Sequence, residues 1–360
     1  MLSNFEIMLK RLVYIILLLP VACIEPYQVE VPEGEQLLTV EGMITSGPGP
    51  HIITLTRSAT YGSDFEGLIR PVTQATVVVR DDQGKVTFLT ESADARGTYS
   101  TPASFRAEVG KSYTLYIETS EGKLYSSFPE RVESVPVLNK VGVKTVTIEQ
   151  PGGGNPRSGI QLIAEVNDPA DQNNYYYWRN GASVYILETR PDLFTPRPSE
   201  TNPSREPQPK ACCAVCYKTE STNNQSLFLA VDDNFNGLST QVPVAFIEDD
   251  GLRFVNKFRV DVRQLGITQE AYRFLRLVKQ QAEISGSVFD PPPANIQGNM
   301  ISLDNPDEKV LGYFIAAGES THRIYVDKDD LTFKQNKAII PDDCLTVPGT
   351  TVDAPADWRP

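Results

Sequence analysis

Three thiols crowd into one stretch, Cys212-Cys213-Ala214-Val215-Cys216, and a fourth, Cys344, stands near the C-terminus. Thiolates could hold zinc there, yet structural zinc usually draws on two paired cysteine motifs and this chain has a single cluster. Disulfides are the better reading, with Cys344 joined to Cys216 or to a cluster neighbour and the remaining two linked locally. Cys212, Cys213, Cys216 and Cys344 are therefore disulfide candidates, and no metal is expected among them.

Oxygen ligands are a second chemistry to weigh. Asp232-Asp233-Asn234-Phe235-Asn236-Gly237 matches the start of an EF-hand loop, whose side-chain oxygens surround calcium. The twelfth position, where a bidentate Glu belongs, is Pro243, so a turn between strands is expected instead. Asp168-Pro169-Ala170-Asp171-Gln172-Asn173-Asn174 likewise reads as a turn, whose oxygens would ligate a cation only with help from another loop. The two histidines, His51 beside a Gly-Pro turn and His322 at a strand start, belong to no Gly-x-Ser-x-Gly elbow and read as surface residues. No phosphate-cradling glycine loop, dinucleotide fingerprint or HExxH motif occurs. Glu248-Asp249-Asp250 before Gly251 reads as a hairpin turn, although paired carboxylates are also what glycoside hydrolysis requires. The sequence thus names no catalytic residue and no cofactor. In Tyr175-Tyr176-Tyr177-Trp178 strand alternation sends about half of the rings inwards. Trp178 is expected in the core, and Tyr175 and Tyr177 are the candidates for ligand contact.

The elements that must position these residues are mostly strands. Leu38, Val40 and Gly42 alternate with Thr39, Glu41 and Met43, and a second alternation follows the turn Ser46-Gly47-Pro48-Gly49-Pro50 through Ile52, Thr54 and Thr56. Further short runs at 75–79, 86–89, 97–99 and 110–117 are separated by Gly and Asp turns, the pattern of a β-sandwich. Near Val132-Glu133-Ser134-Val135-Pro136 the pattern breaks, and a second set of strands begins at Val141. These include 159–166, 175–179, 184–187, 226–230, 244–247 and 252–262, with 310–317 and 323–326 as the last pair. Arg190 to Lys210 holds six prolines and is expected to be an exposed excursion. One helix is predicted over 268–285: Thr268 caps it, Ala271, Phe274, Leu275, Val278 and Ala282 share a face, and Gly286 stops it. The expected fold is mainly β, with two β-sandwich-like domains, an immunoglobulin- or transthyretin-like one at 37–135 and a second at 136–360 that carries the helix.

The first thirty residues supply an address. Lys10 and Arg11 precede the apolar run Leu12 to Leu19, then Pro20-Val21-Ala22-Cys23. The run is about half of the roughly 20 residues a spanning helix needs, so residues 1–22 read as a cleaved secretory signal. Cys23 follows a small residue, as in a lipobox, and is the expected lipidation site, with residues 23–36 an acidic tether. A net charge of −13 without a basic stripe argues against a nucleic-acid partner.

Several blocks resemble one family of uncharacterised outer-membrane lipoproteins of Bacteroidota, known by the domain name DUF4249. They are Val40-Glu41-Gly42-Met43-Ile44-Thr45, the Tyr175 to Trp178 strand after Asp168-Pro169, Glu270-Ala271-Tyr272, Gly286-Ser287-Val288-Phe289-Asp290-Pro291-Pro292, Gly298-Asn299, Leu311-Gly312-Tyr313-Phe314, and the tail from Asp343-Cys344 through Pro355 and Trp358. The resemblance implies a surface-anchored, two-domain β protein often encoded near TonB-dependent transporters, with no established reaction. It also implies paired cysteines in the tail, where this chain has Cys344 alone. The expected function is a non-catalytic accessory or ligand-capture subunit at the cell surface, lipid-anchored in the outer membrane beside a TonB-dependent transporter barrel. A free-standing adhesin or module for a glycan or peptide ligand is the alternative, and a secreted hydrolase comes third.

Overall fold

From Leu38 to Thr45 buried and more exposed side chains alternate, and the backbone follows them into a strand that turns Leu38, Val40 and Ile44 to the core. The computed structural model describes residues 36–58, 70–149, 154–170, 172–199, 203–220, 227–283 and 296–359. The signal segment, Cys23, the tether up to residue 35, Gly286 and the run Asp290-Pro291-Pro292-Pro293 lie outside them. All contacts below belong to the unit formed by residues 37–58 and 69–360.

In chain order the strands are β1 (Leu38–Thr45), β2 (Ile52–Arg57), β3 (Arg70–Pro71), β4 (Thr76–Asp81), β5 (Val86–Phe88), β6 (Thr90–Glu91) and β7 (Thr98–Ser100). Next come β8 (Ser112–Glu118), β9 (Leu124–Ser127), β10 (Glu130–Arg131), β11 (Lys140–Ile148), β12 (Arg157–Asn167), β13 (Tyr175–Asn180) and β14 (Ser183–Glu188). After these stand β15 (Val215–Glu220), β16 (Phe228–Val231), β17 (Ser239–Glu248) and β18 (Phe258–Ile267). The helix α1 (Gln269–Ala282) follows, then β19 (Met300–Ser302), β20 (Leu311–Val326) and β21 (Thr350–Thr351). The protein is mainly β, and α1 is the one α-helix among the described residues. None of the helices there is long and apolar enough to cross a membrane.

The strands form three sheets, of 12, 6 and 3 strands. β1 and β2 make the expected hairpin, with Leu38 opposite Arg57 and Gly42 opposite Ile53. β20 is the spine of the largest sheet, pairing with β1 in parallel and with β18 antiparallel. One face of β20 gives Phe314 and Ala316 to a core shared with Leu38, Val40, Leu55, Val79, Leu115 and Tyr125. Farther along, the same face gives Ile324 and Val326 to a second core with Trp178, Val260, Ile160 and Leu162. The opposite face presents Tyr313, Ile315 and Ala317 to α1, through Ala271 and Leu275. Between the first two cores the segment around residues 133–138 crosses the sheet at Gly266 and Gly318, which pair across β18 and β20. A Cβ on Gly318 would lie 2.1 Å from the Glu133 carbonyl oxygen, and one on Gly266 2.6 Å from that of Ser134, so only glycine admits the crossing.

Two of the departures from the expected strand boundaries have a definite cause. Residues 311–317 and 323–326 belong to one 16-residue strand that Val310 precedes, because the ladder to β18 runs unbroken from Gly318 to Val326. β18 starts at Phe258 rather than Leu252, since the Asp250 carboxylate accepts bonds from the amides of Leu252 (2.9 Å) and Arg253 (3.0 Å) and holds a turn there. In the tail, the sulfurs of Cys216 and Cys344 lie 2.03 Å apart, both residues fully buried, fastening β15 to the last segment. Cys212 is joined to its neighbour Cys213.

Helix α1 begins as its sequence indicates: Thr268 Oγ1 accepts the Ala271 amide at 3.2 Å. It ends at Ala282, within the predicted span of 268–285, and residues 284–285 lie outside the described ones. Ala271 and Leu275 are buried, while Ala282, expected on the same face, is exposed in the last turn. Burying a leucine side chain contributes about 1.5–3 kcal/mol. Leu275→Asp is therefore expected to destabilise the fold by several kcal/mol through an unpaired buried charge, and Gln280→Ala, on the exposed face, to change it little. Denaturant unfolding of both variants measures this, and a Leu275→Asp protein of unchanged stability would show that the face does not hold the helix.

Candidate functional site

The residues of interest converge at the start of α1. Glu130, the first residue of the short strand β10, is 4% exposed, and no Lys or Arg neutralises it among the described residues. Its Oε1 accepts a hydrogen bond from the Tyr313 hydroxyl at 2.6 Å and a longer one from Asn299 Nδ2 at 3.4 Å. Its Oε2 accepts from Thr268 Oγ1 at 2.9 Å, so the N-cap hydroxyl that accepts from a helix amide also donates a hydrogen bond to the carboxylate. Asn299 is fixed in turn by the backbone of β20, accepting from the Phe314 amide at 2.9 Å and donating to its carbonyl at 2.8 Å.

Close backbone contact brings these partners together. A Cβ on Gly298 would lie 1.6 Å from the Gly312 carbonyl oxygen, and one on Gly312 would lie 1.9 Å from that of Val40. Gly312 also has φ +91°, a left-handed conformation that favours glycine. Gly298-Asn299 and Leu311-Gly312-Tyr313-Phe314 thus bring an amide and a phenol to one carboxylate.

Above Glu130 opens a cavity of about 920 Å³, bounded by residues 128–134, the 172–175 loop, the first half of α1 and Gln297 to Asn299. That volume lies in the range of small-molecule sites, which combine apolar walls with a few convergent polar groups. Tyr175 and Phe274 supply aromatic wall, with the Tyr175 ring 5.3 Å from that of Tyr272 and the Phe274 ring 4.8 Å from that of Tyr313. A second cavity of about 830 Å³ shares Phe274 and Tyr313 and holds Tyr177, Arg179, His51 and the Arg263–Glu319 pair. That pair is bidentate, at 2.8 and 2.7 Å. Burial acts to raise the Glu319 carboxyl, but the Arg263 guanidinium and two threonine hydroxyls hold it below the usual carboxylate range.

Strand alternation separates the two tyrosines expected to contact ligand. Tyr175 lines the first cavity and Tyr177, 7% exposed beneath α1, lines the second. Tyr176 and Trp178 point the other way into the core, where the Trp178 indole donates to Gln264 Oε1 at 3.1 Å. None of Cys212, Cys213, Cys216 and Cys344 lines either cavity, and Cys23 lies outside the described residues. His51 corrects the sequence reading: it is 5% exposed rather than on the surface, its Nε2 has no partner, and burial lowers its pKa. His322, on β20, is partly buried. Glu130 itself escaped sequence reading, because a glutamate after a proline carries no signal of burial.

Burial pushes the Glu130 carboxyl from its ordinary 4.5 up to about 7, against the opposing donors Tyr313, Thr268 and Asn299 and with a small contribution from Glu270 in the same direction. A raised carboxyl favours the protonated folded form. Its contribution to stability is therefore complete below pH 4.5 and is lost as pH rises through about 7. A shift of this size corresponds to roughly 3 kcal/mol. Glu130→Gln is expected to remove most of that pH dependence and to be the more stable protein at about pH 8. Unfolding free energies measured from about pH 5 to about pH 8 check this, and equal slopes in the two proteins would contradict it.

Compared with curated proteins, the chain matches none. A family model described as a domain of unknown function, DUF4249, matches residues 24–323, a span that holds β1 to β19, α1 and most of β20. By that match the chain belongs to the DUF4249 family.

Proposed function

We propose that this chain is a non-catalytic ligand-capture lipoprotein, anchored through Cys23 at the outer membrane, facing outwards, and working beside a TonB-dependent transporter. The observation that carries the capture role is the cavity over Glu130, whose polar floor is set by three neutral donors and whose walls include Tyr175 and Phe274. That floor is held in place by backbone contacts of β20 and by the cap of α1, which lowers the ordering cost of binding. Aromatic walls with a few polar groups suit a glycan or peptide segment. The address rests on the signal pattern ending at Cys23, and the transporter on the family resemblance together with that address.

Affinity purification of the tagged full chain from mildly solubilised outer membranes tests the reading. A TonB-dependent barrel is expected to co-purify, and Cys23→Ala is expected to shift the chain into the soluble fraction. Recovery without any barrel across several mild detergents would favour a free-standing adhesin, and unchanged membrane attachment of Cys23→Ala would remove the lipid anchor.

A further inference from the structure

Strand alternation puts Tyr177 and Arg179 on one face of β13, about 7 Å apart along the strand, and both line the second cavity. Opposite Arg179 in the ladder stands Arg263 of β18, so two guanidinium groups are direct cross-strand neighbours. Like charges in that arrangement repel. The carboxylates that β18 and β20 give to the cavity already have their own cations: Glu319 takes Arg263 in the bidentate pair at 2.8 and 2.7 Å, and Asp261 takes Arg323 in another at 2.6 and 2.8 Å. Arg179, half-buried, joins no ion pair among the described residues.

Tyr177 is 7% exposed, yet its hydroxyl bonds to no protein group among the described residues and is not sealed in the interior, so it opens on the cavity that the residue lines. Burial pushes this phenol up; of the charges that reach it, Arg179 acts most strongly and in the opposite direction, followed by Glu41 and Arg263. The hydroxyl therefore stays a proton donor. Glu41, the remaining carboxylate of the lining, is exposed on β1, and β18 and β20 stand between its strand and that of Arg179. Much of the other wall is apolar, with Met43, Phe274, Leu275, Val278 and Ile315. A guanidinium without a counter-ion and a phenol without an acceptor thus adjoin an apolar surface.

We infer that the second cavity binds an apolar monocarboxylate, its head group held by Arg179 and the Tyr177 hydroxyl and its body laid against Met43, Phe274, Leu275, Val278 and Ile315. Hydrogen bonds from a guanidinium to a carboxylate are charge-assisted and orienting, and the added negative charge offsets the repulsion between Arg179 and Arg263. A neutral head group of the same shape leaves that repulsion in place. A cationic one adds to it. The site is separate from the polar floor of the first cavity, because none of Glu130, Thr268 and Asn299 lines it.

The test is calorimetric titration of the full-length protein with phenylbutyrate, phenylbutanol and phenylbutylamine, which share one body and differ in head group. The acid is expected to bind and to raise the melting temperature, and the alcohol and the amine to bind roughly tenfold or more weakly. Tyr177→Phe removes only a hydroxyl that has no protein partner, so it is expected to fold as wild type and to bind the acid about three- to tenfold more weakly. Arg179→Gln relieves the repulsion with Arg263, and is expected to be at least as stable as wild type without ligand and to lose roughly tenfold or more in affinity. Arg80→Gln, an exposed change on β4 outside both cavities, is expected to bind as wild type does. Equal binding of acid and alcohol would overturn the inference, as would no binding of the acid by wild type at millimolar concentration, or an affinity unchanged in Tyr177→Phe or in Arg179→Gln. If Arg179→Gln fails to fold, Tyr177→Phe and the comparison of head groups on wild type decide.

Discussion

A carboxylate taken out of water must either find a cation or be surrounded by neutral donors, and Glu130 is surrounded by donors from three separate parts of the chain. Tyr313 comes from β20, Thr268 from the cap of α1, and Asn299 from the segment before β19. Each of these would leave the carboxylate under-satisfied if it moved away, so the position of the helix, the entry of the spine strand and the strand-like side chain of Asn299 are coupled through one group. The cavity inherits its shape from that coupling, because its floor and much of its wall are the same residues.

The glycines make this coupling sterically possible. At 298 and 312 the backbones of two segments and β1 approach within distances that a single Cβ would forbid, and at 266 and 318 the segment linking the two cores crosses the large sheet in contact with it. One strand, β20, consequently serves three apolar clusters, two on one face and the helix cluster on the other. Dense packing of this kind transmits displacements rather than absorbing them. A ligand in the first cavity would bear on Phe274 and Tyr313, which also wall the second.

Acidic groups are managed differently in each place. Glu319 is held by a bidentate guanidinium, Glu130 by neutral donors, and the Asp168–Asp232 pair by Asn174 together with the Tyr176 hydroxyl and the Gly237 amide. Under one overall negative charge, these solutions separate a structural ion pair, a polar floor to a cavity and a hydrogen-bonded clasp between two turns.

The sequence by itself determined the strand-rich class, the β1–β2 hairpin, the proline-rich excursion, the N-cap and buried stripe of α1, and the family, because period-2 and period-3.6 patterns and cap residues are local properties. It also brought Tyr175 and Tyr177 forward by alternation alone. Tertiary structure decided that those tyrosines face different cavities, that His51 is buried, that 311–326 is one strand with two partners, and that β18 begins after a carboxylate-pinned turn. Above all it decided the role of Glu130, whose burial arises from Tyr313, Thr268 and Asn299, between 138 and 183 residues away. A local pattern carries no record of such partners; only the close passage of backbones at Gly298 and Gly312 brings them within hydrogen-bond reach.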